Sequence, residues 1–218
     1  MTRFFETTTA TSIPAGISTA IVTGISSAFS IAMMGLAVAG LVIALDATAH
    51  AAKAANLAGS PITAETLVDQ AEIVRIADAL DAAVDAKDWN LSRSLFTETI
   101  DVDFTSLVGG EPASIPADAL IQGWSSNLTA EKTSFHLRGN HRVTFTGANS
   151  ATMLSHGYAW NRMERGALEE NGGNALWEVW GTYVHNFVRT EDGWKISSMT
   201  FTATAERGNP FVRNTPGS

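Results

Sequence analysis

Hydrophobic positions along the chain fall into two regimes that meet near residue 133. Before it, Leu67, Ile73, Ile76, Leu80 and Val84 recur at helical spacings, which predicts one amphipathic helix over 64–86. Ser60-Pro61 and Thr63-x-x-Thr66 offer starting caps, and Glu65 falls in the first turn. A shorter helix is expected over 90–96, led by Lys87-Asp88-Trp89, then a short strand over 101–106 and a third helix over 116–127 with Pro116 in its first turn. After Thr133 the period drops to two. Runs rich in Thr, Val, Phe, Trp and Tyr occupy 134–146, 150–163, 175–189 and 194–204, divided by turn-like segments at 147–149, 164–174 and 191–193. Three helices followed by four consecutive antiparallel strands predict an α+β domain in which a curved sheet wraps the helices.

The first fifty residues follow neither regime. Residues 1–51 carry only three charged side chains, Arg3, Glu6 and Asp46, and 17–45 carry none. The most apolar part, 31–45, runs into Ala47-Thr48-Ala49-His50-Ala51, which offers A-x-A cleavage sites. That pattern reads as an export signal, with a periplasmic or secreted domain behind it. The alternatives are an uncleaved membrane anchor over 17–45, in contact with the bilayer, and a buried core helix. The expected organisation is a leader over 1–51, an Ala/Gly/Ser linker over 52–61, a domain over 62–206 and a tail over 207–218.

Charge and composition narrow the function classes. The 218 residues carry a formal net charge of −8, and no basic face is visible for a nucleic-acid partner. The chain has no cysteine, which excludes thiol nucleophiles, zinc–thiolate sites and disulfides. No G-x-S-x-G, P-loop or G-x-G-x-x-G occurs.

Two residues stand out as candidate chemistry. Asp85 lies at the border of the buried stripe near the end of the first helix, where the helix macrodipole disfavours a carboxylate. It is either a solvated helix-end acid beside Lys87 or a placed functional group. His136 alternates with Phe135 and Leu137, so it faces away from both, either as a paired structural imidazole or as a general acid and base. His141, His156 and His185, with Asp101 or Asp103, lack metal-ligand spacing, so no metal is expected. Phe104, Trp124, Tyr158, Trp160, Trp177, Trp180, Tyr183 and Phe201 would furnish an apolar pocket, with core packing as the competing reading. Leu137, Val143 and Phe145, on the face opposite His136, would give apolar surface for a homodimer.

The segments Asp85-Ala-Lys87-Asp88-Trp89, Ile100-Asp-Val-Asp103-Phe104 with the helix to Trp124, Thr133-Ser-Phe-His136-Leu-Arg-Gly139 and the closing Glu191-Asp-Gly-Trp194-Lys-Ile196 carry a family resemblance. In this order and spacing, the chain over 62–206 resembles the SnoaL-like and scytalone-dehydratase-like branch of the nuclear-transport-factor-2-like superfamily. The resemblance implies a cone-shaped, cystatin-like fold. It also implies a cofactor-free elimination or isomerisation of a small apolar carbonyl-bearing or polycyclic molecule, with His136 moving the proton and Asp85 orienting it. Phe104, Trp124, Tyr158 and Trp180 would shape the pocket. The two carbonyl-polarising tyrosines of those dehydratases fall at Val84 and Phe104, and their second histidine falls near Asn161 or Arg162. Another donor is therefore needed, with Tyr158, Tyr183 and Asn186 available. A non-catalytic binding or assembly module of the same fold is the alternative.

Overall fold

The computed structural model describes residues 58–163 and 173–217. The expected leader, most of the linker and most of the 164–174 connection lie outside these residues. Among the described residues, no helix is long and apolar enough to cross a membrane.

The first helix, α1, spans Leu67–Ala86, starting three residues later than expected. It buries Ile73, Ile76, Ala77, Leu80, Ala83 and Val84 together with Asp81, while Leu67, at its first position, stays 53% exposed and outside the predicted face. It stops at Lys87, which adopts a left-handed conformation (φ 60°) and donates its backbone N–H to the carbonyls of Ala83 and Val84. A lysine in place of the usual glycine carries some backbone strain. Asp88 then accepts from the Leu91 N–H at 2.9 Å and caps α2, Trp89–Ser94. This tight corner fixes the last turn of α1, and Asp85 with it.

Strand β1 covers Phe96–Asp103, the single-turn α3 covers Thr105–Val108, and the edge strand β2 covers Ala113–Pro116. Helix α4 follows as Ala117–Asn127, with Pro116 as its cap rather than its first turn. The long strands are β3 (Thr133–Gly147), β4 (Ser150–Arg162), β5 (Leu176–Thr190) and β6 (Gly193–Gly208), and α5 (Pro210–Asn214) closes the chain. Residues 207–217, set apart above as a tail, include the end of β6 and α5, whose Val212 is fully buried.

The six strands form one curved mixed sheet in the order β2-β1-β6-β5-β4-β3. β1 runs parallel to β6, and every other neighbouring pair is antiparallel. The fold is the expected α+β cone, and its concave face holds the core against α1 and α4.

One irregularity in β3 decides which residues face inward. The register with β4 shifts between Gly139 and Arg142, where Asn140 takes a left-handed conformation (φ 55°). A bulge reverses the alternation beyond it. Phe135 and Leu137 therefore stay exposed, while Val143 is 4% exposed and Phe145 packs on the core. The sequence expectation that Val143 and Phe145 share an outer face with Leu137 is corrected.

Candidate active site

Asp85, in the last turn of α1, meets His136 on the concave face of β3. The His136 backbone N–H donates to Asp85 Oδ2 at 2.7 Å, and the His136 ring Nδ1 lies 2.7 Å from Asp85 Oδ1. Both carboxylate oxygens are thus committed to one residue, and both side chains keep 21% of their surface. A carboxylate only accepts, so Nδ1 carries the proton, and in the neutral ring the lone pair is on Nε2. Nε2 has no hydrogen-bond partner among the described residues.

Burial is the largest single influence on Asp85 and pushes its carboxyl up. The hydrogen bonds and charge of His136, aided by Ser134, together outweigh it and hold the carboxyl below its ordinary range. Lys87 donates to Ser134 Oγ at 3.2 Å and brings a cation to the helix end. Burial pulls the Lys87 ammonium down, against the pull of Asp85.

A second ionic contact repeats the first, one helical turn back and one strand step along. Arg138 donates through Nε and a terminal nitrogen to Asp81 at 2.9 and 2.5 Å, with its side chain 1% exposed. Its other terminal nitrogen lies 2.9 Å from His185 Nε2, and its guanidinium carbon sits 4.2 Å from the Tyr183 ring centroid. A third step brings Asp78 Oδ1 to 3.1 Å from His141 Nε2, without hydrogen-bond alignment. Asp78, Asp81 and Asp85 thus face His141, Arg138 and His136 in a ladder between α1 and β3. Sequence reading found only its first rung. The signal for the second was present, since Asp81 precedes Asp85 by four and Arg138 follows His136 by two.

His185 is fully buried, and burial first, then the charges of Arg138 and His141, drives its pKa well below the usual 6.5. The unfolded chain takes up this proton near pH 6.5 while the folded chain refuses it. Stability is therefore complete above about pH 6.5 and falls as pH drops, by about 1.4 kcal/mol per unit from this residue. Urea melts at pH 7.5, 6.5 and 5.5 are expected to show that slope. His185→Gln, which still accepts from Arg138, should flatten it; an unchanged slope would refute the assignment.

Cross-strand partners share a face, so register sorts the remaining candidates. His136 is level with Ala159 and Val179, and Ser134 with Asn161 and Trp177, all on the concave face. Arg138 is level with Gly157 and Gly181, and Tyr183 lies across from Ser155 on that same face. Phe104 and Trp124 pack against the core from the helical side. Tyr158, Trp180 and Asn186 do not join them. Tyr158 pairs with Leu137 and Trp180 on the outer face, where its hydroxyl donates to Glu178 at 2.8 Å. Asn186 pairs there with Thr152 and accepts its hydroxyl at 2.9 Å. These three are corrected from pocket residues to outer-face residues, because alternation points them away from His136.

The other histidines disperse. His156 contacts Asn140 on the outer face, and among the described residues no three acidic or histidine side chains gather as a metal site.

A family model described as a SnoaL-like domain matches residues 65–200. No curated protein matches. Among solved structures the chain is similar to the Kfla4162 protein from Kribbella flavida, at 29% identity over 66% of this chain and 95% of that one, with TM-score 0.60. It is also similar to a provisionally assigned scytalone dehydratase from Novosphingobium aromaticivorans (20% identity, 67% and 91% coverage, TM-score 0.56). A hexachlorocyclohexane dehydrochlorinase, LinA-type3, from Novosphingobium barchaimii shares 15% identity over 65% and 90% of the chains, with TM-score 0.51. At these identities the last two likenesses are likenesses of fold.

Proposed function

We propose, from the premise that this chain belongs to the SnoaL-like domain family, that it is a cofactor-independent enzyme that abstracts a proton next to a carbonyl, leading to dehydration or isomerisation. The carrying observation is the Asp85–His136 pair: Asp85 holds Nδ1–H and leaves Nε2, without a hydrogen-bond partner among the described residues, available as a base. Nε2 takes the C–H proton, and the C–H electrons move into an enolate. In dehydration the imidazolium returns that proton to the departing β-hydroxyl, which leaves as water while the enolate electrons form the new double bond. Isomerisation returns the proton to a different carbon instead. The substrate class is small, uncharged and largely apolar, because Val179 and Trp177 share the concave face with His136 and Phe104 and Trp124 pack against the core. The reading is tested by incubating the full chain with cyclic and aryl β-hydroxy ketones in deuterium oxide and following α-hydrogen exchange by NMR. Wild type should exchange, and His136→Ala should not. If wild type binds such ketones without exchange or elimination, the binding-module reading replaces this one.

We also assign the outer sheet face to a second copy of the chain. Phe135 and Leu137 are 40% and 59% exposed, and Phe135 stacks on Trp160 beside Tyr158 and Trp180. Glu178 and Arg207 pair with each other inside the patch, so covering it strands no charge. Sedimentation at micromolar concentration should give a dimer for wild type and a monomer for Leu137→Glu. A monomeric wild type removes the assignment.

A further inference from the structure

Lys87 holds a backbone conformation that does not suit it. Besides glycines, only Lys87 and Asn140 take a left-handed φ among the described residues. Asparagine tolerates that region better than lysine, whose Cβ crowds the backbone there. Glycine or asparagine would close the corner after α1 with less strain. A strained residue at such a place points to work done by its side chain. That side chain turns from the helix corner to β3, where Nζ donates to Ser134 Oγ at 3.2 Å. Ser134 is buried, and the last turn of α1 carries no cation of its own.

The contact sets the direction of a chain of hydrogen bonds. An ammonium only donates, so Ser134 Oγ accepts from Lys87 and its own proton turns to another acceptor. Asp85 is that acceptor: after burial and His136, a Ser134 hydrogen bond helps to hold its carboxyl below the ordinary range. Asp85 in turn favours the Lys87 ammonium against its burial. The other charges around His136 are spent elsewhere. Asp81 pairs with Arg138 one rung away, and Asp78 faces His141 two rungs away. Ala159 and Val179, level with His136 on β4 and β5, are apolar. Burial keeps His185 neutral behind Arg138, and burial pushes the Tyr183 phenol up to about 12, so it keeps its proton. Lys87 is therefore the cation that meets the Asp85 carboxylate while the imidazole is neutral.

We infer that Lys87 is a positioning residue of the Asp85–His136 pair: its ammonium, acting through Ser134, balances the carboxylate so that the pair rests as carboxylate and neutral imidazole instead of as a closed ion pair. A carboxylate alone beside an imidazole favours the imidazolium, which has no lone pair to offer a substrate. A second cation at the same carboxylate makes that imidazolium less favourable by charge repulsion. The three groups carry no net charge at rest and one positive charge once the proton is taken, so the proton is also handed on readily. The use of this balance in turnover rests on the proton-abstraction reading, but the balance itself can be measured without a substrate.

The experiment is an NMR titration of the His136 ring in the full chain with no ligand added. Lys87→Met keeps the stem and removes the charge, and it should raise the pH at which the ring takes its second proton by about half a pH unit or more. Lys87→Arg keeps the charge and should titrate like wild type. Lys87→Gly should show the same rise as Lys87→Met while melting no lower than wild type, because glycine fits the left-handed corner. It keeps the test decisive if the methionine variant fails to fold. A wild-type titration in either folded uncharged variant overturns the assignment, as does an equal rise in Lys87→Arg. Where the protein exchanges ketone hydrogens, Lys87→Met should lose about threefold in exchange at pH 6 and little at pH 8.5, the same half unit read as a rate. A raised titration in a protein that exchanges nothing would sustain the role of Lys87 and sink the proton-abstraction reading, so the two failures are distinct.

Discussion

Asp85→Asn is expected to reduce proton abstraction by about 100- to 10,000-fold, the range typical of a lost general base, while leaving the fold in place. The reason is the two-point grip on His136. One carboxylate oxygen accepts the backbone N–H, which can only donate, and the other accepts ring Nδ1–H. An asparagine has one oxygen to give, and the backbone N–H claims it. Its amide NH2 then faces Nδ1, which must become the acceptor, so the ring proton moves to Nε2. Nε2–H has no lone pair for a substrate proton. Nitrogen-15 NMR of the ring should report Nδ1–H in wild type and Nε2–H in the variant. Retained Nδ1–H together with retained exchange activity would refute the orienting role of Asp85. The variant also loses a carboxyl whose folded pKa lies below its ordinary value. That stabilising contribution exists above the unfolded carboxyl pKa of about 4 and vanishes as pH falls through the lower folded value, so it disappears only in acid.

How far such a site can be read from sequence depends on whether local periodicity or tertiary registration sets each residue. His136 was legible because alternation with Phe135 and Leu137 has only one other face to offer, and Asp85 because helical spacing put it at the edge of the stripe. Their meeting was implied by family resemblance and not by spacing. Arg138 and Asp81 obey the same two periodicities, yet a charged pair on a helix and a strand reads as solvated until the elements are registered. Val143 and Phe145 show the opposite failure. They continue the alternation of Leu137 on paper, but the bulge around Asn140 turns them inward; Gly139 marks a place where a bulge can sit, yet a glycine in a strand does not say that a residue is inserted. Tyr158 and Trp180 were misplaced because an amphipathic ring suits either face of a sheet, and the outer face supplied Glu178 and Arg207 as partners. The four-residue edge strand β2 was too short to carry a period at all.

Arg138→Met is expected to destabilise the protein by roughly 3–5 kcal/mol, because it strands a charge that has nowhere to go. Asp81 has its side chain 12% exposed, and its carboxylate takes two donors from the arginine. Removing them leaves a near-buried anion facing apolar packing, and His185 loses the donor that meets its ring. Lysine is no remedy, since one ammonium cannot span Asp81 in a fork and reach His185 as well. The double variant Asp81→Leu with Arg138→Met removes both charges. It should recover most of the loss, because a buried pair gains little over apolar residues of similar volume once its desolvation is counted. Chemical denaturation of wild type, both single variants and the double closes the cycle, with a coupling of about 2 kcal/mol or more expected. Additive losses would mean that the two residues act separately and that the second rung of the ladder is incidental. A strong coupling would mean that the rung fixes the position of β3 against α1, and so holds His136 within reach of Asp85.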